Sequence, residues 1–218
     1  RFVDRAHLGK LFEVQFLKMG DIDQQTERAF QAVLETEIPA HDMVMVNDFG
    51  HGFLTESLRL KIMDEAPFLA LNTQTNSANL GFNMITKYPK ADYCCIDLAE
   101  ARMASGRQQA STLACGQQLL KSISAKSFMI TTGQAGSTYL VNGGGHFEVP
   151  ALSPQVIDRV GAGDAFFAVT SPWAFLGNPK ELTGFIGNCV GAMQVTTVGN
   201  RNPVAATALY KFITSVLS

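Results

Sequence analysis

The sequence predicts an α/β fold, a doubly wound and largely parallel sheet with helices on both faces. Two observations lead there. Short apolar runs of the length of buried strands alternate with longer amphipathic segments, and acidic or glycine-rich turns follow the runs. A chain of 218 residues, 46% hydrophobic and 17% charged, can bury one sizeable core, and with no internal repeat, low-complexity tract or long linker, residues 1–218 read as a single domain.

Taken in order, Asp21 to Leu34 places Ile22, Ala29, Phe30, Val33 and Leu34 at helical spacing behind a polar start. Met43 to Val46 reads as a buried strand entering the tight turn Asn47-Asp48-Phe49-Gly50-His51-Gly52, and Thr55 to Ala66 as a helix. Phe68 to Leu71 is the next strand. Asn72 to Asn79 is too rich in Asn, Thr and Ser to expect inside a core, and is a candidate ligand wall. Tyr93 to Ile96 is a strand that meets a helix at Asp97 and Glu100; Thr112 to Ile123 is helical, and Ser127 to Thr131 is another strand. Ser137 to Val141 and His146 to Val149, around Gly143-Gly144-Gly145, predict a small antiparallel hairpin. Gly161 to Leu176, Pro179 to Val198 and Pro203 to Leu217 close the chain as helices. In a parallel sheet, ligands gather beyond the carboxyl ends of the strands, so the loops after Val46, Leu71, Ile96 and Thr131 are the place to look.

Composition removes several function classes. A net charge of −2 offers no basic patch for nucleic acid or an anionic membrane. No apolar run reaches the length of about 18 residues needed to span a bilayer, and Arg1 to Lys10 lacks the order of a secretory signal, so a cytoplasmic location is expected. Cys94, Cys95, Cys115 and Cys189 lack C-x-x-C spacing and read as reduced core thiols. No Walker A sequence is present, and Gly50-His51-Gly52 lacks the second histidine of a nucleotidyltransferase H-x-G-H motif.

The chemistry concentrates in Asp158-Arg159-Val160-Gly161-Ala162-Gly163-Asp164, a Gly-x-Gly-Asp turn that opens a long apolar helix. Two glycines let successive amides point at one spot, and a helix start adds about half a positive charge. An anion hole of the Gly161, Ala162 and Gly163 amides beside the Asp164 carboxylate suits phosphoryl transfer, with Asp164 as the base. The same four residues would also serve as a plain turn whose aspartate caps a helix.

DRVGAGDAFFA resembles the segment with which ribokinase-like (PfkB-type) carbohydrate kinases begin their catalytic helix. ITTGQAGS (Ile130 to Ser137), DLAE (Asp97 to Glu100) and GNCVGAMQVTTVG (Gly187 to Gly199) resemble that family's other elements, in the family's order. VNDFGHGFL (Val46 to Leu54) and the stretch Phe68 to Ala104 are similar to the heptose-phosphate kinase branch, whose kinase domains also occur joined to sugar nucleotidyltransferases. The resemblance implies a ribokinase-like fold, ATP and Mg2+ as cofactors, and a sugar or sugar phosphate as substrate, a heptose phosphate being favoured. It implies Thr132, Gly133, Gly136 and Asn188 against the nucleotide, Asp48, Gly50 and Gly52 near the transferred phosphate, Asp97 in the phosphate region, and Glu100 holding magnesium through water. As partners it implies a fused or separate sugar nucleotidyltransferase, with a homodimer left open.

Each role has a plain structural alternative: Glu100 as a carboxylate serving a helix dipole, Thr132 and Gly133 as a strand-ending turn, Asn188 as a hydrogen-bonded core residue. Asp97 stands where many members carry Asn, and His51 where a basic residue is common. Arg159-Val160 replaces small hydroxyl residues, and Arg159 is either a phosphate contact or a surface ion pair. The family's N-terminal strands, Gly-Gly acceptor loop and lid have no counterpart here, and Gly143 to Gly145 stands in the wrong order to replace them. The chain is therefore expected to be the C-terminal, ATP-binding and catalytic portion, with a bare sheet edge. Its activity in isolation, and a non-catalytic nucleotide- or sugar-nucleotide-binding role, both stay open.

Overall fold

A sheet covered on both faces organises the molecule, its central strands buried at most positions. The structure, a computed structural model, describes residues 2–4, 10–12, 14, 16, 20–76, 79–152, 156–197 and 202–218; Ser77 and Ala78 of the expected polar loop and Val198 and Gly199 at the end of the penultimate helix lie outside them. Strands β3 (Val44–Asp48), β4 (Leu69–Thr73), β5 (Lys90–Asp97), β6 (Ser124–Thr131), β7 (Ser137–Val141) and β8 (His146–Val149) form one sheet in chain order. The first four are parallel; β7 and β8 add the predicted antiparallel hairpin. Asp48 pairs with Thr73 and Asp97 with Thr131, so the carboxyl ends of β3 and β4, and of β5 and β6, run level.

On one face Leu69, Leu71, Cys94, Ile96, Phe128 and Ile130 meet Leu34, Leu58, Ala101 and Leu119 of helices α1 (Gln24–Glu37), α2 (Glu56–Glu65), α3 (Leu98–Ser105) and α4 (Thr112–Ser122). On the other, Ala70, Tyr93, Cys95, Met129 and Tyr139 meet Phe166 and Phe167 of α5 (Ala162–Phe175). Each large side chain buried in this way contributes about 1.5–3 kcal/mol. The Tyr93 hydroxyl donates to Thr170 Oγ1 at 2.7 Å, which satisfies the polar tip of a fully buried ring. Helix α6 (Lys180–Gln194) lies on α5 because Gly187 has no side chain: a Cβ there would stand 2.5 Å from Phe166 Cζ. Helix α7 (Ala206–Leu217) follows. All four cysteines are free and buried, as expected.

Two features depart from the sequence reading. A small antiparallel pair, β1 (Phe2–Val3) and β2 (Lys10–Phe12), carries stacked Phe2 and Phe12 rings in a stretch with no strand signal. The stretch Asn72 to Asn79 is not excluded from the interior: Asn72, Thr73 and Asn79 are buried, as is Asn83 beyond it. Amide hydrogen bonds make this tolerable. Asn79 Nδ2 donates to the carbonyls of Phe49 (2.7 Å) and Gln74 (3.0 Å), and Asn83 Nδ2 to those of Asp48 (2.7 Å) and Gln74 (3.0 Å). The two amides thereby stitch the turn after β3 to the turn after β4.

Candidate active site

Helix α5 is delivered by a tight turn. The Asp158 carboxylate accepts the Val160 N–H (3.0 Å), the Ala162 N–H donates to the Arg159 carbonyl (3.3 Å), and Gly161 caps the helix at φ +78°, a left-handed conformation that favours glycine. Of the three amides expected to form an anion hole, that of Ala162 is thus turned onto Arg159. Gly163 is exposed, and a Cβ there would meet nothing within 4 Å, so the helix start opens into space.

Asp164 stands in the first turn of α5, and its Oδ1 accepts hydrogen bonds from Asn47 Nδ2 (2.8 Å) and from Gln74 Nε2. Two neutral donors from the ends of β3 and β4 therefore aim the carboxylate and leave Oδ2 without a hydrogen-bond partner among the described residues. The Oδ1 atoms of Asn47 and Asn72 are buried and likewise unpartnered. Asn72 and Gln74 belong to the stretch expected as a ligand wall, whereas the sequence reading gives Asn47 no role, although its position at a strand end is the available signal.

Asp97 and Glu100 close a reciprocal cap at the start of α3. The Asp97 side chain accepts the Glu100 N–H (2.7 Å), while Glu100 Oε2 accepts the Asp97 N–H (3.0 Å) and Oε1 the Thr75 N–H (2.7 Å). Burial, reinforced by the Asp97 charge and more weakly by Asp164, pushes the Glu100 carboxyl up to about 7, against the opposing pull of the two amides. The helix-dipole alternative for Glu100 is thus realised without removing the residue from the cleft.

Asp48 lies elsewhere. Its buried carboxylate accepts the Tyr88 hydroxyl (2.6 Å) and the Gly50 N–H (2.8 Å) and pairs with Lys87 (2.7 Å), so it anchors the turn after β3 from the helix-covered face. Gly50 and Gly52 shape that turn with φ of +68° and +80°. His51 is exposed, with Nε2 at 3.4 Å from Asn76 Nδ2.

A second cleft, with a cavity of about 170 Å³, lies between the β6–β7 turn and helices α5 and α6. It is mainly apolar, with Leu152, Val156, Ala192 and Val195 on its wall beside Gly133, Gly136 and Asn188. The Thr132 hydroxyl donates to the Gly136 carbonyl (2.9 Å) and closes the turn. Gly136, at φ +102°, brings the backbone so close to the exit of β8 that a Cβ would lie 2.0 Å from the Val149 carbonyl oxygen. Asn188 donates both to that oxygen and to the Pro150 carbonyl, each at 2.9 Å, so it is a hydrogen-bonded buried residue that also lines the cleft.

The polar cleft holds Asn72, Gln74, Asp97, Glu100, Gly161 and Asp164, and the two clefts share Thr131, Arg159 and Gly163. Among the described residues no three His, Cys, Asp or Glu side chains converge as a ready metal cage. The oxygen donors of Asp97, Glu100 and Asp164 instead fit a hard ion that keeps most of its water, as Mg2+ does.

Residues 20–207 match the model of the pfkB family carbohydrate kinases. Similar curated proteins include bifunctional protein HldE of Desulfatibacillum aliphaticivorans, 26% identical over 182 residues and covering 82% of this chain and 37% of that one. HldE of Nitrosococcus oceani is 27% identical over 166 residues, 75% of this chain and 34% of that protein. The chain thus spans little more than a third of these relatives. Among solved structures, phosphofructokinase-2 of Escherichia coli superposes with a TM-score of 0.74 at 13% identity, covering 93% of this chain and 66% of that one. Ribokinase of Thermotoga maritima gives 0.67 at 16% identity, with 82% and 58% covered. These likenesses establish the ribokinase-like fold, and the family match over most of the length makes this chain a member of the pfkB family of carbohydrate kinases.

Proposed function

We propose that the chain is an ATP- and Mg2+-dependent phosphotransferase domain acting on a hydroxyl of a sugar or sugar phosphate, a heptose phosphate being the favoured acceptor. The observation that carries this reading is the meeting of the two clefts at Gly163: an apolar cleft opens onto a carboxylate held by one oxygen. Adenine and ribose would lie between Gly133, Gly136 and Asn188, with the phosphates running toward the start of α5. Asp164 Oδ2 takes the acceptor hydroxyl's proton, and the oxygen so freed attacks the γ-phosphorus in line as the bond to the β-phosphate breaks. The Gly161 and Gly163 amides and the helix dipole meet the charge on the transferred group. Glu100 and Asp97 would hold magnesium through water, and magnesium bound there would supply charge neutralisation for the phosphates.

Residues 1–218 act in this reading as one catalytic domain. HldE relatives named bifunctional and far longer than this chain support a fused nucleotidyltransferase. A cytoplasmic site of action suits an ATP-dependent enzyme, and no helix among the described residues is long and apolar enough to cross a membrane. Self-association as a homodimer remains compatible with it.

The test is ATP turnover by the full natural protein over heptose, hexose and pentose phosphates, with Asp164→Asn in parallel. Acceptor-dependent turnover that falls by about 10² to 10⁴ in the variant is expected. ATP binding with no acceptor-stimulated turnover would replace this reading with a nucleotide-binding module.

A further inference from the structure

Arg159 occupies the ridge shared by the two clefts, and its carbonyl accepts the Ala162 N–H in the tight turn into α5. Of the residues lining either cleft it is the only Lys or Arg among those described, whereas the polar cleft carries three carboxylates, Asp97, Glu100 and Asp164. A surface ion pair does not account for it: Arg159 is exposed and forms no ion pair among the described residues. Lys87, another cation near these loops, is held by the buried Asp48 carboxylate.

Electrostatics gives the position its meaning. A nucleoside triphosphate entering from the apolar cleft brings several negative charges toward three carboxylates. Asp97 and Glu100 cap the same helix start and share the cleft with Asp164, so this wall already carries negative charge. A hydrated magnesium ion offsets part of the repulsion, and a planar guanidinium matches two phosphate oxygens at once in a way an ammonium does not.

We propose that Arg159 grips the β- and γ-phosphates of the bound nucleoside triphosphate from this ridge, as the chain's own cation at the point of phosphoryl transfer. This rests on the kinase reading above, and assigns to one side chain the discrimination between a triphosphate and a monophosphate.

The test is calorimetric titration of the full chain with ATP, AMP and adenosine in the presence of Mg2+, for wild type, Arg159→Ala and Arg159→Lys. Melting temperatures confirm the fold. Arg159→Ala is expected to weaken ATP roughly 10- to 100-fold, the measure of a charge-assisted hydrogen bond, and to leave AMP and adenosine unchanged. Arg159→Lys should recover part of the loss. ATP binding that is unchanged in Arg159→Ala, or weakened in step with adenosine, overturns the proposal and leaves the kinase reading standing. Wild-type protein that binds none of the three overturns both.

Discussion

The two clefts that meet at Gly163 are built by opposite means. The apolar one is made of glycine backbone at Gly133, Gly136 and Gly191 and of apolar side chains such as Leu152 and Val195, and offers shape rather than charge. The polar one is made of side chains brought from the ends of several strands, and its geometry depends on amide-to-carboxylate hydrogen bonds. Shape is encoded locally, in turns a few residues long. The charge constellation is encoded across the whole sheet, with Asn47 and Asp164 separated by 117 positions. Damage to one cleft should therefore leave the other's property intact, and three variants put this to the test.

The largest separation is expected when Asn47→Ala and Gln74→Ala are combined. Asp164 then loses both donors that aim it, and misplacement on the scale of an ångström costs about 10² in rate. Steady-state kinetics should show kcat lower by roughly that factor with the KM for ATP little changed. A matching rise in KM would mean that the two clefts are not independent. Gly191→Leu is the converse: a Cβ there has its nearest neighbour, Phe166 Cδ2, at 3.9 Å, so the new side chain fits the helix and fills the apolar cleft. ATP should bind about tenfold or more weakly by calorimetry, while the melting temperature holds or rises, since leucine suits a helix interior better than glycine by about 0.5–1 kcal/mol.

The third variant concerns Glu100. Its carboxyl titrates near 7 in the folded protein, above the ordinary value of 4.5, so the folded state binds its proton more tightly than the unfolded chain does. The associated stability is complete below about pH 4.5 and is lost as pH rises through about 7. Glu100→Gln, unable to ionise, should match wild type near pH 4 and be more stable at pH 8, by about 1–3 kcal/mol in urea unfolding without Mg2+. Equal pH dependence of the two proteins would show that burial does not raise this carboxyl.

Much of this was legible in the sequence because it is local. The hairpin at 137–149 falls on its predicted residues, and the Gly161 turn opens α5 as its glycines require. Asp48 was misplaced for a physical reason. Along β3 it alternates with Asn47, so one points to the α5 side and the other into the core, and neighbours in sequence become residents of opposite faces. The partners that decided between them, Tyr88 and Asp164, lie far along the chain. Asn72 shows the same limit: a polar residue is admitted to the interior when a distant carbonyl, here that of Cys95 at 2.7 Å, is waiting for it.

The division of the helices between the two faces of the sheet also sets an order in time. Helices α1 to α4 alternate with the strands they cover and can dock as those strands leave the ribosome, whereas the layer carrying Asp164 begins only at Ala162. A nascent chain halted before that point already holds strands β3 to β8 but lacks Asp164 and the α5 wall of the apolar cleft. Within residues 1–218 the α5 layer is thus laid on the sheet after its strands, a schedule that protease protection of stalled chains of increasing length would reveal as late closure over Tyr93 and Met129.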